Sequence, residues 1–352
     1  MSIQEIISKL KNKKDLNGND LLNIVHDFEK KILNDKDIED FVIAWREKKE
    51  TPEELKLLVE LLFKKSPQID LTPTSVIDMC GTGGDRLNTI NISTLSAIVV
   101  SSYGLPVIKH SGRSSTGISG SVDVLSDFGF DVDNSTDIRE ACFKKLNLMF
   151  VSSKLLRELF GNVKRVCKKL NIPGFVNLLG PLTNPYKTSF HLLGVSSLEW
   201  GDLLANTLNL MDYKNGLIVC SKVSESSFMD ELSFCGKNYL WKINNGKVTR
   251  EEIDFSKYDF KSVNCQELVI KNKAENKLYF ENILSGKLAV NDPKLQVIAL
   301  NSGAAIYLIG QVKSIVDGYK LALQHIQAGK PWEHFLTFLN CSKREVDFNS
   351  KN

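Results

Sequence analysis

No run of about 18 apolar residues, the length a membrane-spanning helix requires, occurs anywhere in this 352-residue sequence. No Cys-x-x-Cys pair occurs either, and the seven cysteines are scattered and odd in number. Neither a zinc site nor a disulfide framework is therefore expected, and free thiols in a reducing cytoplasm are the simplest expectation. Charge of one sign is also scarce. The net charge of +3 is too small to argue for a nucleic-acid partner. Met1-Ser2-Ile3-Gln4-Glu5 lacks a basic stretch followed by an apolar one, so no secretory signal is expected. Internal repeats and low-complexity segments are absent. What remains is ordinary for a globular protein, 42% hydrophobic and 25% charged residues. The length exceeds what one compact core usually holds, which predicts two domains.

The first seventy residues carry helical periodicity and no strand candidates. Asp20 is a candidate cap for a helix whose Leu21, Ile24, Val25, Phe28 and Ile32 fall on one face. Thr51-Pro52-Glu53-Glu54 is a helix start in which Thr51 and Glu54 can cap each other and Pro52 sits where no donor is needed. Near Ser75 the pattern changes. Val76–Met79, Leu105–Ile108, Leu148–Val151 and Leu217–Cys220 are short apolar strand candidates separated by helical stretches. Such alternation predicts an α/β fold with a mainly parallel sheet covered by helices, and ligands gathered at the carboxyl ends of the strands. The predicted division is a helical unit over 1–72, joined by helices from about 160–190, and an α/β unit over 73–345. Residues 291–339 have a helical pattern, and 342–352 are expected to fray.

Three segments after strand candidates have the chemistry of anion sites. Gly81-Thr82-Gly83-Gly84-Asp85 can turn sharply and present amides to a phosphate. It has neither the dinucleotide-binding spacing nor the Lys-Ser/Thr pair of a P-loop. Asn91, Ile92, Ser93 and Thr94 sit at a predicted helix N-terminus, where unpaired amides and the helix dipole favour a second phosphate. Lys109, His110, Ser111, Gly112, Arg113, Ser114, Ser115, Thr116 and Gly117 bring two cations, four hydroxyls and two glycines into nine residues. Asp230-Glu231 then supplies adjacent carboxylates that suit Mg²⁺, a hard cation preferring oxygen. Each segment also has a plain structural reading: a tight turn, a helix cap, a solvated loop, an acidic surface pair.

Taken together, Cys80–Asp85, Asn91–Thr94, Lys109–Ser121, Asn177-Leu178-Leu179-Gly180-Pro181-Leu182-Thr183-Asn184-Pro185, Asp230-Glu231 and Asn301–Tyr307 resemble anthranilate phosphoribosyltransferase of the tryptophan pathway, in order and spacing, over nearly the whole chain. The resemblance implies a small helical domain joined to a phosphoribosyltransferase-like α/β domain. It also implies a homodimer, and transfer from phosphoribosyl pyrophosphate (PRPP) to the amine of anthranilate with Mg²⁺. By the same resemblance Gly81, Gly84, Asp85 and Thr89 belong to the sugar-diphosphate loop with Asn91–Thr94 beside it. Lys109–Gly117 corresponds to a phosphate-closing loop, Ser121 to a further phosphate contact, and Ser93, Asp230 and Glu231 to the metal positions.

Two departures concern the acceptor. Lys109-His110-Ser111-Gly112-Arg113 stands where the family has Lys-His-Gly-Asn-Arg. Cys167 stands where the family has an arginine for the anthranilate carboxylate, and the upstream His-Pro segment is missing around Ser153–Arg157. The acceptor candidates are accordingly Gly81, His110, Gly112, Arg165, Cys167 and Lys168. Three rivals follow: transfer to a different aromatic or heterocyclic amine, a non-catalytic nucleic-acid-binding relative of the fold, and a nucleoside phosphorylase. The low net charge argues against the second and Asp230-Glu231 against the third.

Overall fold

A computed structural model describes all residues except 67, 72–74, 113–117, 153, 259 and 350–352; for 344–349 it describes the backbone alone. The chain opens with four helices, α1 (Ile3–Lys11), α2 (Gly18–Lys30), α3 (Asp35–Lys48) and α4 (Pro52–Lys65). Each begins with a reciprocal capping box: Ser2 with Glu5, Asn17 with Asp20, Asn34 with Asp37, Thr51 with Glu54. Asp20 is therefore the third helical residue of α2 rather than its cap. Asn17 has the short acceptor at the position the first amides can reach. Ile32 lies beyond the helix and is 64% exposed.

The rest of the chain winds around one sheet. The elements are β1 (Ile77–Gly81), α5 (Ile92–Ser102), β2 (Val107–His110), α6 (Ser121–Asp127), α7 (Thr136–Leu146) and β3 (Leu148–Val151). Next come α8 (Lys154–Leu170), α9 (Phe175–Leu182), β4 (Phe190–Gly194), α10 (Leu198–Leu210), β5 (Asn215–Lys222) and β6 (Phe228–Met229). The series ends with β7 (Asn238–Asn244), β8 (Lys247–Ile253), α11 (Lys273–Leu284), α12 (Pro293–Leu308), α13 (Ile315–Gln327) and α14 (Lys330–Asn349). Helix α14 thus continues through 342–349, where fraying was expected. Among the described residues no helix is long and apolar enough to cross a membrane.

The strand order is β3-β2-β1-β4-β5-β7-β8, with β6 paired to β5. β1 to β5 are parallel; β6, β7 and β8 are antiparallel additions. The β7–β8 hairpin was not expected from the strand candidates. β8, Lys-Val-Thr-Arg-Glu-Glu-Ile, is too charged to show an apolar pattern. Its turn residues Asn245 and Gly246 both have positive φ, the backbone of an Asn-Gly hairpin turn.

Strand side chains alternate between two cores, as the two-residue period of a pleated strand requires. Leu192, Leu217 and Val219 enter the core with α5, α7 and α11–α14. Leu193, Ile218 and Cys220 enter the core with α1–α4 and α8–α10. Phe28, Phe41, Trp45, Phe160 and Phe175 knit the second core, with ring centroids 5.0–6.4 Å apart. Helices α8 and α9 therefore share a core with the four N-terminal helices.

Candidate active site

From β1 the chain runs outward through β2 to β3, whereas β4 and β5 lie on the other side. The order reverses between β1 and β4, and a crevice opens there at the strands' carboxyl ends. A cavity of about 720 Å³ occupies it.

The glycine loop forms one wall. Gly83, Gly84, Arg86 and Asn88 all have positive φ, so the backbone turns back on itself and makes an amide-lined concavity. Gly81 has a different reason to be glycine. A Cβ there would lie 2.5 Å from Asp230 Oδ2, and one on Gly194 would lie 1.6 Å from the Asp230 carbonyl oxygen. The two glycines at the ends of β1 and β4 make the space that Asp230 occupies. Asp230 Oδ2 then accepts from the Gly83 amide at 2.8 Å. Asn301 of α12 holds the next turn, since its amide group donates to and accepts from the Leu232 backbone.

Asp85, Asp230 and Glu231 converge on the cavity. Burial, then the charge of Asp230, pushes Asp85 up to about 8. Burial also raises Asp230. Glu231 is held well above the ordinary carboxyl range by burial and by Asp230, against the opposing Ser93 backbone. Lys109 is the nearby counter-charge. Its Nζ donates to the Met79 carbonyl at 2.6 Å, so the ammonium is buried beneath the loop rather than extended toward a phosphate.

Of the residues expected from sequence, Gly81, Gly84, Asp85, Thr89, Asn91, Ile92, Ser93, Lys109, His110, Gly112, Ser121, Cys167, Lys168, Asp230 and Glu231 line the cavity. Three others do not. Thr94 is fully buried and donates to Ser121 Oγ at 2.9 Å. Ser111 is buried and bonds its own chain at the Lys109 carbonyl. Arg165 points away and binds both carboxylate oxygens of Asp35 at 2.6 Å. Arg113, Ser114, Ser115, Thr116 and Gly117 lie outside the described residues. The helix start at Asn91 makes no side-chain cap; Asn91 instead donates to Ser119 O and accepts from Asn276.

A second wall was anticipated only in part, at the acceptor candidates Cys167 and Lys168 and in the segment beginning at Asn177. Helix α8 breaks at Phe160, and its second half presents Lys164, Cys167, Lys168 and the following Asn171 to the cavity. These positions, i, i+3, i+4 and i+7, are one helical face, a signal present in the sequence. Ile172, Pro173, Val176, Asn177, Gly180 and Pro181 continue the wall into α9. Two bonds tie the walls together: Arg86 to the Asn171 carbonyl at 2.7 Å and Asn177 to the Thr82 carbonyl at 3.1 Å. Cys167 is 6% exposed, and burial pushes its thiol up to about 11, so it is a neutral packing group. His110 is neutral at physiological pH because burial pushes it down to about 4. Behind the loop, Asp78 accepts from the His110 amide and from Asn184, while Cys80 Sγ lies 3.3 Å from His191 Nε2. These bonds lock the ends of β1 and β2 to β4 and to the turn at Asn184.

Residues 73–332 match the profile of a glycosyl transferase family, a/b domain. The chain is 32% identical over 303 residues to anthranilate phosphoribosyltransferase of Schizosaccharomyces pombe, covering 84% of this chain and 83% of that one. It is 31% identical over 339 residues to that of Desulfosudis oleivorans, covering 96% and 98%. The anthranilate phosphoribosyltransferase of Saccharomyces cerevisiae, solved in complex with PRPP and Mg, superposes with a TM-score of 0.83 at 26% identity, over 97% of this chain and 98% of that one. The enzyme of Thermus thermophilus shares the fold at 0.83 and 23% identity, over 96% and 99%.

Proposed function

This chain belongs to the anthranilate phosphoribosyltransferase family, and we propose that it transfers the phosphoribosyl group of PRPP to the amine of anthranilate, releasing pyrophosphate in tryptophan biosynthesis. The observation that carries the reading is the meeting of an amide-lined loop with three half-buried carboxylates at the sheet's switch point.

That carboxylate set fits Mg²⁺. Three acidic groups have raised pKa values, the buried Lys109 opposes that rise at Asp230 and Glu231, and a hard divalent cation would favour the ionised form of all three. Asp230, Glu231 and Ser93 would hold it. When bound, the cation supplies neutralisation of charge on the leaving pyrophosphate.

The remaining chemistry belongs to this chain's own groups. The amides of the 81–88 loop and the α5 N-terminus hold phosphate oxygens, and they stabilise charge as the C1–oxygen bond breaks and pyrophosphate leaves. The lone pair of the amine forms the new bond to C1, and the nitrogen then loses one proton to solvent or pyrophosphate. An aromatic amine is neutral at pH 7, so no strong base is needed, and positioning supplies much of the rate. Neutral His110 offers a hydrogen-bonding ring on the cavity wall without adding charge.

Incubation with PRPP, Mg²⁺ and anthranilate tests the reading. Anthranilate fluorescence should fall at an enzymatic rate, and full retention of the signal with folded protein would refute it. Use of a different aromatic amine, favoured by the burial of Cys167, would appear as turnover of that amine alone. We also propose a homodimer, supported by exposed Leu22 and Ile32 in the helical region. A helical domain over 1–72 joined by residues from about 160–190 is supported by their shared core. A cytoplasmic setting is supported by seven cysteines, none of them in a disulfide.

A further inference from the structure

We propose that Lys164, assisted by Lys168, receives the carboxylate of the acceptor and so selects an anionic aromatic amine over a neutral one. This inference rests on the anthranilate reading above. Anthranilate is 2-aminobenzoate, an aromatic ring carrying a carboxylate beside the reacting amine.

The argument begins with helix phase. Lys164 and Lys168 are one turn apart and both line the cavity, with Cys167 between them. Their helical neighbours are engaged elsewhere. Lys154 pairs with Glu158, Arg157 with Asp133, and Arg165 with Asp35. Among the described residues, Lys164 and Lys168 have no carboxylate within 4.0 Å, so two ammonium groups on a cavity wall lack an anion.

Lys164 is open to solvent by surface area, yet enough protein surrounds it to lower its pKa, first by burial and then by the charge of Arg157. That combination describes a cation inside a concavity. The charge of Lys164 also reaches His110, and both residues line the same cavity. Cys167, Ile172, Pro173 and Val176 flank the lysines with apolar surface suited to an aromatic ring. The acidic residues belong to other elements of the lining, the loop after β1 and the turn after β6. A ligand with a carboxylate at one end is therefore drawn to the lysines, which orients it.

The test compares wild type with Lys164→Met, Lys168→Met, the double variant and Lys164→Arg, using anthranilate and its neutral analogue 2-aminobenzamide. Both lysines are solvent-accessible, so these variants should fold. Wild type should prefer anthranilate. In Lys164→Met the KM for anthranilate should rise about 10- to 100-fold and the preference should collapse, while the KM for PRPP stays within about twofold. Lys164→Arg should retain the preference. If the double variant keeps it, the inference is wrong. An equal rise in the KM for PRPP would make the lysines a phosphate contact and also overturn it. A wild type that turns over neither amine refutes the parent reading, and the inference falls with it. A wild type active on anthranilate whose variants are unchanged refutes the inference alone.

Discussion

Gly81 is glycine because the Asp230 carboxylate fills the space a side chain would need. In Gly81→Ala the methyl group must displace that carboxylate, since the obstacle is a pinned acidic group rather than open solvent. We expect kcat/KM to fall roughly 100-fold with little change in the far-ultraviolet circular dichroism spectrum. Replacing Asp230 and Glu231 by alanine should cost about 100-fold or more in Mg²⁺-dependent turnover; unchanged turnover would remove the metal assignment. Asp85 adds a pH dependence. Its carboxyl rises from 3.8 to about 8 in the metal-free fold, so the folded state takes up a proton between those values. Stability from this group therefore declines as pH rises through that window toward 8. Mg²⁺ binding should expel the proton and strengthen with rising pH up to about 8, roughly tenfold per pH unit for each proton released. Calorimetry in two buffers of different ionisation enthalpy measures this; equal heats would contradict it.

Among the elements, α4 shows how a local signal becomes a tertiary one. Glu54 caps its own helix start, as Thr51-Pro52-Glu53-Glu54 predicts. It also accepts from the Leu16 amide at 2.7 Å, Trp45 Nε1 at 3.3 Å and Lys48 Nζ at 2.6 Å, all within the helical core. Removal leaves a 98%-buried lysine side chain without that carboxylate partner. Glu54→Ala should destabilise the protein by about 3–5 kcal/mol, read from urea denaturation, with Glu54→Gln less severe. An unchanged midpoint would show that these bonds contribute nothing. The cap was legible because it is set by residues three apart. The partners Leu16 and Trp45 were not, because they come from other segments. The β7–β8 hairpin stayed hidden for a related reason: an edge strand facing water needs no apolar pattern, and only its Asn-Gly turn marked it.

At the scale of the whole molecule, two cores meet at the cavity. The sheet side supplies the loop and carboxylates, and the α8–α9 side supplies the lysines and apolar wall. If the helical region also joins two copies, sedimentation should give twice the chain mass, and Leu22→Glu with Ile32→Glu should shift it toward monomer; a wild-type monomer would end that proposal. Residue order alone was enough for the alternation of strands and helices, the glycine-rich loop after β1 and the acidic pair, since each depends on neighbours in sequence. Which of Lys164, Arg165 and Lys168 lines the cavity was decided only in three dimensions. A break at Phe160 resets the rotation of α8, and Asp35, a distant residue, draws Arg165 to the outside. Helix rotation is fixed by what the helix packs against, and no local spacing contains that information.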